Sequence, residues 1–138
     1  MARVAVWILL AGFLIGNGVN VEKFFRDGRG AYLRGLRHVA EGSSGAMATL
    51  TSDDDFRNLT VIDYYKRDLP DGDRILYVRN ENLPPEGVSW VLLHRIGELG
   101  DVDPAIGDRY GNAYTLELVL PYSELSGWHW VLYRRARR

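Results

Sequence analysis

The chain has 138 residues, 46% hydrophobic, 25% charged and 12% aromatic, a folding composition at a length that suits one domain and leaves no room for two. Its formal net charge of −1 gives no general electrostatic reason to bind nucleic acid. With no cysteine, disulfides, thiolate metal sites and a cysteine nucleophile are excluded, but the compartment is left open.

Residues 4–15 (VAVWILLAGFLI) are unbroken apolar sequence without a charge. Three readings compete for residues 1–22. A signal peptide has a basic n-region and an apolar core, which Arg3 and residues 4–15 supply, but Gly16-Asn17-Gly18-Val19-Asn20 makes a poor small-residue cleavage site. A spanning helix needs about 20 apolar residues, reached here by running on through the Gly/Asn segment to Val21. A buried helix of a soluble protein would show a polar stripe, and this run has none. The missing stripe favours the membrane, with residues 1–22 as a hydrophobic N-terminal segment and 23–138 as a soluble α/β domain. Lys23, Arg26, Arg29, Arg34 and Arg37 follow the run and only Arg3 precedes it, so local charge places the domain in the cytoplasm.

Gly28-Arg29-Gly30 predicts a turn. From residue 31 to 41, Tyr32, Leu36, Val39 and Ala40 recur at helical spacing opposite Arg34, Arg37 and Glu41, and Gly42-Ser43-Ser44-Gly45 ends the helix. Residues 46–51 (AMATLT) predict a short strand. Ser52-Asp53-Asp54-Asp55 then opens a second amphipathic helix with Phe56, Leu59, Ile62, Tyr65 and Leu69 on its buried face, stopped by Pro70-Asp71-Gly72. Residues 74–78 (RILYV) and 88–93 (VSWVLL) are the next strands, and the second, apolar on both faces, belongs in the interior of a covered sheet. Residues 96–112 form a long Gly- and Asp-rich loop. Residues 113–120 and 128–133 alternate and pair as an antiparallel hairpin. The expected fold is α/β: a small mixed sheet of about five strands with a βαβ start on a right-handed crossover and a C-terminal antiparallel hairpin.

If the first three strands run parallel, their C-terminal ends bring Ser52, Asp53 and Asp55, then Arg79 and Asn80, then His94 and Arg95 to one rim, where open α/β sheets bind ligands. These seven residues are the candidate ligand site. Asp53 and Asp55 have the spacing to hold a divalent cation against a diphosphate, but Ser52 with Asp55 also makes a capping box, and the cap is the preferred reading, so no metal and no cofactor are expected. His94 is either a general base or a histidine at a strand exit. His38 and His129 read as a helix-surface and a strand residue. Asn58-Leu59-Thr60 matches a glycosylation sequon but falls inside the predicted helix. The terminal Arg134-Arg135-Ala136-Arg137-Arg138 is a basic tail that suits either anionic headgroups or solvent.

A final apolar helix precedes Gly28-Arg29-Gly30-Ala31-Tyr32-Leu33, then residues 52–58 (SDDDFRN) after a short strand, Trp90-Val91-Leu92-Leu93-His94, and residues 126–135 (SGWHWVLYRR). In this order the chain resembles the C-terminal region of bacterial integral-membrane polyprenyl-phosphate-sugar glycosyltransferases. The resemblance implies an extracytoplasmic appendage without the catalytic machinery, whose acidic residues lie between early membrane helices in such proteins. The leading expectation is a non-catalytic membrane-tethered domain that serves a membrane glycosyltransferase and contacts a glycan or lipid-linked substrate. The alternatives are a small ligand-binding protein or enzyme using the rim, and a protein–protein interaction module.

Overall fold

A computed structural model describes residues 2–27, 31–43, 47–121 and 128–136. Helix α1 (Ala2–Asp27) carries the apolar segment Arg3–Glu22, whose mean hydropathy is 1.9 and of which 0% is buried. It is long and apolar enough to cross a membrane. The expected turn at Gly28-Arg29-Gly30 lies outside the described residues.

Helix α2 (Tyr32–Gly42) buries Gly35, Leu36 and Val39 and leaves Arg34 and Arg37 exposed. A Cβ on Gly35 would stand 2.7 Å from Leu120 Cδ1, so a larger residue there would force Leu120 or the helix to shift. Strand β1 (Ala48–Ser52) is followed by α3 (Asp55–Tyr65) and then β2 (Ile75–Tyr77), which pairs with β1 in parallel, completing the βαβ start. Strand β3 (Trp90–Ile96) pairs in parallel with β1 on its other side, Leu50 opposite Trp90 and Ser52 opposite Leu92. Strands β4 (Ala105–Gly107), β5 (Ala113–Leu120) and β6 (Trp128–Arg135) complete an antiparallel half, and β6 joins β3.

The mixed sheet has six strands in the order β2-β1-β3-β6-β5-β4. The extra strand, β4, comes from the stretch expected to be wholly loop. Ile106 packs inward there, and the turn from Asp108 to Asn112 folds β4 back on β5.

Strand β3 is interior, and its two faces serve two cores, as double-sided apolarity requires. Trp90 and Leu92 join Leu36, Val39, Leu50, Ile62, Trp130 and Leu132 under the helices. Val91 points the other way, into a core with Leu83, Val88, Tyr114, Val131 and Tyr133 that loops and β4 cover. Gly87, at φ +76, turns the chain into this second core, and a Cβ on it would meet the Tyr114 hydroxyl at 2.5 Å.

Two local expectations are corrected. Phe56 is 91% exposed, because α3 packs through Asn58 and Ile62. A strict three-residue spacing drifts about 60° per step around a helix, so residues 56 and 65 fall on opposite sides. The N-cap of α3 is Asp54, whose carboxylate accepts the Arg57 amide at 3.1 Å, so Ser52 and Asp55 form no capping box.

Candidate functional site

The parallel strands β1 and β3 end side by side, and α3 starts where β1 stops. This junction gathers Ser52, Asp53, Asp55, Asn80 and His94 into two hydrogen-bonded groups. In the first, the Tyr77 hydroxyl donates to Asp55 Oδ1 at 2.6 Å, and Ser52 Oγ lies 2.6 Å from the same hydroxyl. Tyr77 has one proton and gives it to the carboxylate, so the serine must donate to the phenol oxygen. Burial first, and then the bond to Asp55, push the Tyr77 phenol well above its ordinary range. Asp55 Oδ2 accepts the Asn80 amide at 2.9 Å, and Asn80 Nδ2 donates to the Ser52 carbonyl. Both oxygens of Asp55 are thereby engaged in fastening α3 to the segment after β2.

In the second group Asp53 accepts the His94 amide on both carboxylate oxygens, at 3.1 and 3.0 Å, and its Oδ1 lies 3.2 Å from His94 Nδ1. The His94 side chain is 7% exposed and that of Asp53 40%. Asn58 Nδ2 also approaches His94 Nδ1, at 2.9 Å. One ring nitrogen cannot donate to Asp53 and accept from Asn58 at once. Turning the Asn58 amide over lets Asn58 Oδ1 and Asp53 both accept from Nδ1–H. The ring also stands edge-on to Trp128, with centroids 5.3 Å apart, and the Arg57 guanidinium lies 3.6 Å over that indole.

Beside this rim, on the loop-covered face of the sheet, a cleft of about 270 Å³ opens. Leu83, Val91, Leu93 and Ile106 form its floor; Thr51, Asp53, Asn80 and Arg109 supply polar groups at its edge. One wall is the turn after β4. There Asp108 takes both the Tyr110 and Asn112 amides at 2.9 Å on Oδ1, and Asn112 Nδ2 at 2.8 Å with the Tyr114 hydroxyl at 3.0 Å on Oδ2. Burial would raise the Asp108 carboxyl, but these bonds, led by those from Asn112, hold it below its ordinary value. Asp108 is thus a structural tie, and the charged groups left to face a ligand are Asp53 and Arg109.

Of the seven residues expected at the rim, Ser52, Asp53, Asp55, Asn80 and His94 converge, whereas Arg79 and Arg95 do not. Arg79 points to solvent and pairs loosely with Glu81 at 3.7 Å. Arg95 is exposed and, by strand alternation, lies on the face opposite His94. Asp53 and Asp55 diverge to different partners, and among the described residues no group of three His, Asp or Glu side chains is placed to hold a metal ion.

Tyr77, Asn58 and Arg109 join the expected residues at the rim and cleft. Tyr77 and Asn58 gave no local signal, while Asp108 with Gly111-Asn112 after the apolar Ile106 was a readable turn. No family model, curated protein or solved structure matches the chain.

Proposed function

We propose that the chain is a membrane-tethered α/β domain that binds a glycan unit in the cleft between the strand-end rim and β4, in the service of a membrane glycosyltransferase. The observation that carries the binding reading is the cleft itself. At about 270 Å³ it falls just below the roughly 300–1,000 Å³ of typical small-molecule sites, a size suited to one sugar ring. An apolar floor with Asp53, Asn80 and Arg109 at the edge suits a ligand with C–H faces and hydroxyls, since carboxylates accept from hydroxyls and amide and guanidinium N–H donate to them. The exposed apolar helix α1 supports the tether, and the resemblance described above supplies the link to glycosyl transfer.

Calorimetric titration of the full chain in detergent with methyl glycosides and monosaccharide phosphates tests this. Saturable binding is expected, with loss on Asp53→Ala and on Ile106→Trp, which fills the floor from an edge strand. Binding that survives both changes, or none at all with either ligand set, contradicts the reading.

The Asp53–His94 pair favours a second reading, in which the rim is itself an active site and His94 Nε2 takes a proton from a ligand hydroxyl or water. Turnover of chromogenic glycosides or phosphate esters that His94→Gln abolishes while binding persists would establish it; binding without turnover favours the first reading.

A further inference from the structure

We propose that the outward face of α2, presenting Arg34 and Arg37, docks on the anionic headgroups of the bilayer that α1 crosses, leaving the cleft open on the far side of the sheet. It docks there only if α1 is a tether, the reading proposed above.

Chain continuity brings α2 to the headgroups. The apolar segment ends at Glu22 and α1 runs on to Asp27, rising about 7.5 Å over those five residues. The next helix begins at Tyr32, and the intervening links reach at most about 18 Å. The first turn of α2 therefore stands at most about 25 Å outside the hydrocarbon, which keeps the headgroup layer, extending about 5–8 Å outside the hydrocarbon, within its reach.

Packing decides which side of α2 faces out. Gly35, Leu36 and Val39 are pressed against the sheet, and His38 turns to Glu117 at 3.3 Å. Arg34 and Arg37 point away and have no acidic partner among the described residues. Between residues 23 and 41 the sequence carries Lys23, Arg26, Arg29, Arg34 and Arg37 against two acids, Asp27 and Glu41. The α3 side is acidic on balance, with Asp53, Asp54, Asp55, Asp63 and Asp68 against Arg57, Lys66 and Arg67. This polarity turns the α2 end of the helical layer toward an anionic surface and the α3 end away from it. Because the helices cover one face of the sheet and the cleft lies on the other, docking through α2 does not occlude the cleft.

The cysteine-free chain allows a single reporter. A spin label on Glu41→Cys, at the far end of the α2 outward stripe, and a control label on Tyr64→Cys of α3 are compared in nanodiscs of phosphatidylcholine alone and with phosphatidylglycerol. Accessibility of the α2 label to a water-soluble relaxation agent is expected to drop severalfold with the anionic lipid, with no change on α3. High salt should reverse the drop, as should Arg34→Glu with Arg37→Glu. Equal accessibility in both lipids, or a drop that survives salt and the double substitution, overturns the docking alone. A chain that fails to co-elute with the discs contradicts the tether, and the docking with it.

Discussion

The two faces of the sheet are built by different means. On the helix-covered face, α2 lays Leu36 and Val39 and α3 lays Ile62 over Trp90, Leu92, Trp130 and Leu132, with the polar Asn58 of α3 set against His94. On the other face the cover is turns and the short strand β4, fixed by polar ties such as Asp108, and a cleft remains over Val91 and Leu93. A helix fills space along its whole length, whereas loops satisfy their own backbone groups first and fill space second. The face with the weaker cover is where a ligand has room, and Asp53 at the strand end touches both sides through His94 and the cleft.

The largest effect should separate the two cores. Leu92→Ala, under the helices, is expected to destabilise by about 3 kcal/mol, and Val91→Ala, on the loop side, by about 1 kcal/mol, both by denaturant unfolding. Equal costs would mean that the loop-covered face is as tightly packed as the other. Next comes the turn that holds the cleft wall. Asp108→Ala strands its four donors and should cost about 2 kcal/mol. Its depressed carboxyl also ties stability to pH: the contribution is present above the ordinary carboxylate range near pH 4 and is lost as pH falls below it. The Asp108→Asn variant should accordingly lose less stability than the parent on acidification.

Tyr77→Phe should cost about 1 kcal/mol. It also probes the raised phenol, whose contribution is intact below the unfolded phenol value of about 10 and is lost as pH rises beyond it. Stability of the parent should fall more steeply than that of the variant in alkaline melts; parallel curves would show that burial and the bond to Asp55 do not raise the Tyr77 phenol. The smallest change sharpens the cap. Asp54→Ala is expected to cost about 1 kcal/mol, and Asp54→Asn only a few tenths.

Much of the helix-covered face was legible in the sequence. Periodicity in α2, the double-sided apolarity of β3 and alternation in β5 are local signals of burial; the alternation expected in β6 is not found, because that strand lies between β3 and β5 and buries residues 129–133 on both faces. The rim was legible too, because polar residues must stand where strands leave a core, and parallel order brings Ser52, Asp53, Asn80 and His94 together. What stayed hidden depends on direction and distance rather than on pattern. Arg79 and Arg95 share the strand-end position but point elsewhere. Tyr77 read as an apolar strand residue, yet its hydroxyl links β2 to the start of α3. Asn58 sits on the buried side of α3, where a polar residue is explained only by the histidine across from it. The cleft was the least legible element: Asp108 with Gly111-Asn112 signals a turn, but the space between that turn and Val91 and Leu93 depends on how far apart β4 and β3 come to lie in the sheet.

Hydrogen exchange of the full chain in nanodiscs, with and without saturating methyl glycoside, tests the central claim most directly. Amides 90–93 should exchange slowly in both states, and the ligand should slow residues 51–53, 80–83 and 105–109 while leaving α2 and α3 unchanged. Ligand protection confined to α2 or α3, or no protection around the cleft at saturation, would contradict a binding site on the loop-covered face.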